Sequence, residues 1–126
     1  MASRLTLVFV SVALSFVNVG QAQAAGDAQR GEARYESLCT GCHSLDANRI
    51  GPAHRGVFGR KAGSAPGFAY SPKVKSSKII WNEATLNMWL TNPQAMIKGA
   101  RMGFQLADAR DRADVIAFLK RESAKR

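Results

Sequence analysis

Apolar residues fall at helical spacing in three stretches of the chain, and the regions between them show little periodicity. The first stretch runs from Asp27 towards Cys39. Gly31 and Tyr35 lie four apart on one face, with Leu38 next along it, and Asp27 can cap the start. A glycine inside a helix costs stability relative to alanine, so Gly31 predicts that something packs very close there. The second stretch follows Trp81. Asn82 is its cap, and Leu86, Trp89 and Leu90 make an i, i+3, i+4 stripe. Pro93 ends it, because the residue before a proline is pushed out of helical geometry. The third runs from about Ala109 to Ser123. Asp108 caps it, Asp111 adds negative charge to its first turn, and Val115, Phe118 and Leu119 form its apolar stripe. Lys120, Arg121, Lys125 and Arg126 suit its C-terminal end.

From Ser44 to about Lys78 the chain carries Gly51-Pro52, Gly56, Gly59, Gly63, Pro66-Gly67 and Pro72, which are turn signals. A loop region this long is unusual in a small domain unless it wraps something. Gln94 to Ala107 reads as a second irregular loop, with Met102 between Gly99 and Gly103. No convincing strand pattern, repeat or low-complexity segment occurs. The expected class is all-α, with several short helices and long loops.

The N-terminus changes the domain count. Arg4 precedes an apolar run from Leu5 to Val19, followed by Ala22 and Ala24 in an A-x-A pattern. Residues 1–24 are expected to be a cleaved secretory signal peptide, leaving 25–126 as one domain. The run is short for a membrane span and is broken by Ser11, Ser15 and Asn18, which argues against an uncleaved anchor. The expected location is the periplasm. The remaining chain has 17 basic and 9 acidic residues, a net charge of +8. For an exported protein that charge points away from nucleic acid. It suits acidic protein patches or a transient anionic membrane surface, and equally general solubility; the charge by itself does not choose between them.

Candidate chemistry lies at Cys39-Thr40-Gly41-Cys42-His43. Two cysteines three apart with a histidine directly after read as a covalent attachment site for one c-type haem. On a helical turn, positions i and i+3 share a face. Both thiols then reach the porphyrin vinyl groups, and His43 lies where it can bind the iron. A disulfide in an oxidising compartment is the competing use of these cysteines. A zinc site from two cysteines and two histidines lacks a second paired motif.

His43 is expected to bind through one ring nitrogen while the other donates to a backbone carbonyl near Pro52. Met102 is one candidate for the opposite ligand, in a glycine-flanked loop that can approach the iron closely. Met96, in the same loop, is another. Met88 lies on the wrong face of its helix, and His54 reads as a loop histidine partly exposed to solvent. Ligation by histidine and methionine suits electron transfer. An open sixth position would suit gas binding or peroxide chemistry.

Taken in order, these motifs closely resemble the class I c-type cytochromes, of the mitochondrial type and its short bacterial relatives. The resemblance runs from Gly26 to Lys120. It rests on Gly31 and Tyr35, the Cys39-to-His43 site, Gly51-Pro52, Gly56-Val57-Phe58-Gly59-Arg60-Lys61, Ala65-Pro66-Gly67-Phe68-Ala69-Tyr70, Trp81 with the helix to Asn92-Pro93, Met102, and Ile116-Ala117-Phe118-Leu119-Lys120. It implies a class I cytochrome c fold around one haem. It also implies Met102 as second axial ligand, the Pro52 carbonyl as acceptor from His43, and Arg60, Tyr70 and Trp81 at the propionates. Gly31 and Tyr35 would pack against Phe118, and Phe104 would lie near the exposed haem edge.

The chain departs from the family at Trp89, where a tyrosine usually bonds the methionine sulfur; indole only donates. Lys98 and Ala100 replace a proline and a threonine, and His54 stands where an apolar residue packs near the haem. Leu38, Gln94, Ala95 and Asp108 occupy positions where the mitochondrial type carries lysines, while Arg49 and Arg101 remain basic. The expected function is a soluble, monomeric one-electron carrier and not an enzyme. Its expected partners are membrane respiratory or photosynthetic complexes and periplasmic dehydrogenases. The competing readings are a dedicated haem subunit of one dehydrogenase and a gas-binding or peroxidatic protein with a labile sixth ligand.

Overall fold

A computed structural model describes residues 25–125. The signal-peptide reading of residues 1–24 lies outside the described residues. Five helices occur among them: α1 (Ala28–Leu38), α2 (Pro72–Lys75), α3 (Glu83–Thr91), α4 (Pro93–Met96) and α5 (Ala109–Ala124). The three longer ones coincide with the three periodic stretches. Each begins at the expected cap. The Asp27 carboxylate accepts from the Gln29 and Arg30 amides, Asn82 shares a reciprocal capping box with Thr85, and Asp108 accepts from the Asp111 amide. A cap of this kind stabilises a helix by about 1 kcal/mol.

The two shorter helices correct the loop assignments. Pro93 ends α3 and also starts α4, because a proline is tolerated where a helix has no amide partner to lose. Asn92 closes one helix with its backbone amide and caps the next with its side chain. Pro72 starts α2 in the same way, behind the Ser71 cap. Both helices span only four residues, too few for periodicity to register.

The core lies where α1 crosses α5, with α3 packed alongside. Tyr35, Leu86, Leu90, Val115, Phe118 and Leu119 are buried there. A side chain at Gly31 would meet the Asp114 carbonyl oxygen at 1.9 Å and Phe118 Cβ at 3.0 Å, so the glycine is a requirement of the crossing. Asp114, buried on α5, accepts from the Asp27 amide at 2.6 Å and from Arg30 Nε at 2.8 Å. This ties the start of α1 to the middle of α5. A smaller cluster of Val74, Ile97 and Ala100 packs under α2.

The long loop is held by backbone bonds to the entry of α3. Gly59 donates to the Trp81 carbonyl, Trp81 to Arg60, and Ala62 to Ile79, around one antiparallel bridge between Lys61 and Ile80. Arg60 and Trp81 are thereby fixed as neighbours although they are 21 positions apart in the sequence. Between this loop, α1, α3 and the 101–104 segment lies one cavity of about 420 Å³.

Candidate haem site

Cys39 ends α1, its amide bonded to the Tyr35 carbonyl. The chain then turns, with the Cys42 and His43 amides both donating to the Cys39 carbonyl. Cys39 and Cys42 form no disulfide with each other, Cys39 is half-buried and Cys42 exposed, and both line the cavity. Burial pushes the Cys39 thiol up to about 11, with the nearby Cys42 charge adding to the effect. Before haem is attached this keeps it a protonated thiol at neutral pH.

His43 also lines the cavity. Its Nδ1 lies 2.9 Å from the Pro52 carbonyl oxygen. A carbonyl only accepts, so Nδ1 carries the proton and Nε2 keeps its lone pair for a metal. Burial lowers its pKa, which favours the neutral ring, and the Pro52 bond opposes this. The Gly51 amide donates to the Cys42 carbonyl. A side chain at Gly51 would meet His43 Cε1 at 2.1 Å. Gly51-Pro52 is therefore a backbone clamp on the imidazole.

Met102 lines the same cavity. Met96 instead packs between the two apolar clusters, and Met88 is exposed. The loop carrying Met102 is pinned by Gln94, whose Nε2 donates to the Met102 carbonyl at 2.9 Å and also to that of Ala100. Arg60, Tyr70 and Trp81 all line the cavity. Arg60 donates through Nη2 to the Ala53 carbonyl and through Nη1 to that of Arg55, while its Nε is buried without a partner. An unpaired buried donor of this kind is costly, and an anionic oxygen placed beside it would remove the cost. The Tyr70 hydroxyl accepts from the Ala65 amide, which leaves its own proton free to donate. Trp89 also lines the cavity, its ring 5.3 Å from that of Trp81.

His54 is a half-buried loop histidine, as expected, but it also lines the cavity. Its ring stacks on His43 with centroids 4.0 Å apart and planes 20° from parallel. Its Nδ1 lies 3.0 Å from the Tyr35 hydroxyl. Burial holds its pKa well below the usual value, with His43 and Arg60 adding to the effect. The position replacing a family apolar residue was the only signal of this in the sequence. Two other buried groups gave no signal. One is Asp114; the other is Glu122, surrounded by Lys125, Arg121 and Arg55.

At the mouth of the cavity Leu38, Ile50 and Phe104 are exposed at 38%, 78% and 41%. They form an apolar rim around it. An apolar cavity with two thiols, an unprotonated imidazole nitrogen, a thioether and an orphaned cationic donor fits a haem.

Comparison with known proteins agrees. The family model for cytochrome c matches residues 28–122. Cytochrome c2 of Rhodomicrobium vannielii is 44% identical over 112 residues, covering 86% of this chain and 89% of that protein. Cytochrome c of Euglena viridis is 43% identical over 98 residues, covering 75% and 96%. The solved structure of cytochrome cH from Methylobacterium extorquens superposes with a TM-score of 0.73 at 38% identity, covering 76% of this chain and 99% of that one. With these motifs on this all-α framework, the chain belongs to the cytochrome c family and carries a covalently bound c-type haem.

Proposed function

We propose that this electron-carrying cytochrome works as a soluble, monomeric periplasmic one-electron shuttle, with His43 and Met102 as the axial ligands of its haem. The bound haem supplies an iron that cycles between ferrous and ferric states. Cys39 and Cys42 anchor it by adding their thiols across its two vinyl groups. His43 presents Nε2, oriented by the Pro52 carbonyl and by Gly51. Met102 would supply the sixth ligand, which would leave no open site for a substrate and suit a carrier rather than an enzyme. Arg60, through its unpartnered Nε, would hold a haem propionate together with Tyr70 and Trp81. Leu38, Ile50 and Phe104 form the rim where partners dock in brief encounters through a small interface. The partners are membrane respiratory or photosynthetic complexes or periplasmic dehydrogenases. The leader-like residues 1–24 and the bacterial relatives support the location.

The observation that carries this reading is the meeting of both thiols, His43 and Met102 in one cavity that excludes Met96. The exported holoprotein tests it. Met102→Ala should abolish the sulfur-to-iron absorption band and lower the potential markedly, while Met96→Ala keeps both. The reverse pattern would reassign the ligand. Rapid carbon monoxide binding by the reduced parent protein at neutral pH would overturn the carrier reading in favour of an open site.

A further inference from the structure

We infer that His54, anchored by Tyr35, is a positioning residue for the His43 imidazole and sets its rotation over the haem. The inference rests on the reading of His43 as an iron ligand. Three groups hold His43. The Pro52 carbonyl fixes Nδ1 at 2.9 Å, the Gly51 backbone closes on Cε1, and the His54 ring covers one face at a centroid distance of 4.0 Å. A single hydrogen bond at Nδ1 leaves the ring able to swing about the line joining that atom to its acceptor. A flat neighbour stacked within 20° of parallel opposes that swing.

A stacked ring orients its neighbour only if it is itself held. His54 is held by the hydrogen bond between its Nδ1 and the Tyr35 hydroxyl, and by edge packing against the Tyr35 ring with centroids 5.6 Å apart. Tyr35 is buried and packs its ring 5.0 Å from Phe118. A continuous line of aromatic contacts therefore runs from α5 through α1 and the long loop to His43. An aliphatic side chain at position 54 could fill the space, but it would have neither a flat face nor an anchor. The choice of histidine is explained by both partners together.

The orientation of an axial imidazole plane governs how its π orbital overlaps the iron d orbitals. That overlap sets the spread of the paramagnetically shifted haem methyl resonances in the ferric state. The test uses ferric holoprotein of the parent, His54→Leu, His54→Phe and Tyr35→Phe, compared by proton NMR and by potential. The parent's own His/Met spectrum tests the ligation separately. His54→Leu should keep covalent haem and the sulfur-to-iron band, yet shift the methyl spread and the potential. Tyr35→Phe should shift the spread in the same direction by a smaller amount. His54→Phe, which keeps a flat ring, should return it towards the parent. A His54→Leu holoprotein with the parent's methyl spread would overturn the inference. If His54→Leu fails to retain haem, Tyr35→Phe decides, and an unchanged spread there overturns it equally.

Discussion

Beside the apolar core, charged residues tie the start of the first helix to the middle of the last, and this makes the crossing sensitive to acid. Asp114 is buried on α5, and it accepts from Arg30 and from the Asp27 amide. The Arg30 hydrogen bond lowers its pKa below the ordinary 3.8, helped by the Asp27 amide and opposed by burial. A carboxylate whose folded pKa is depressed adds stability above its unfolded pKa and loses it as pH falls through the folded value. Asp114→Asn removes the charge and turns an amide donor towards Arg30. The variant should be less stable at neutral pH by about 2 kcal/mol, the cost of unpairing hydrogen bonds to charged groups. The deficit should shrink as pH falls below 3.8 and the parent carboxylate takes up its proton. Thermal melts of both proteins followed by circular dichroism measure this. A constant difference from neutral pH down to strong acid would show that Asp114 acts by shape alone.

At the scale of elements, α4 shows where the sequence was silent. The pattern exposed α1, α3 and α5, with their caps, because each is long enough for its apolar stripe to repeat. It missed α4 because four residues make a single turn. It also could not show that Gln94, on α4, reaches forward to the Met102 and Ala100 carbonyls. Gln94 registered only as a lost lysine, since a surface charge is legible in a sequence and a side-chain bond to a loop eight residues away is not. The ligand motif, the Pro52 acceptor and the close approach at Gly31 were legible because each depends on residue type at fixed spacing. The His54 stack depends on how the long loop folds back, which spacing does not encode. The Gln94 bond predicts that α4 braces the Met102 loop. If Met102 is the sixth ligand, as proposed, Gln94→Ala should keep the haem yet let added imidazole displace Met102 more readily. Loss of about 1 kcal/mol corresponds to roughly fivefold tighter imidazole binding by the ferric protein. Spectrophotometric titration checks it, and an unchanged affinity would place the brace elsewhere.

Across the whole molecule the positive charge is unevenly placed. Six of the nine acidic residues pair with arginines: Asp27 and Asp114 with Arg30, Asp111 with Arg34, Asp46 and Glu122 with Arg55, and Glu32 with Arg121. From position 47 to 107 Glu83 is the sole acid against nine basic residues. The loops that frame the cavity therefore carry the excess, although the positions of Leu38, Gln94, Ala95 and Asp108 lack the family's lysines. Lys73 lies against the Gly99 turn beside Lys98, close to the loop that bears Met102. Charge at this distance steers an approaching partner, and salt screens it over about 10 Å at 0.1 M ionic strength. The apolar rim of Leu38, Ile50 and Phe104 acts only on contact and is indifferent to salt. Oxidation of the reduced protein by an anionic iron complex should slow as ionic strength rises, whereas a cationic complex should speed up. Lys73→Glu should flatten the anionic reagent's salt dependence more than Lys125→Glu, because Lys125 already pairs with Glu122 on α5. Equal effects of the two reversals would mean that net charge, and not its placement around the cavity, governs the encounter.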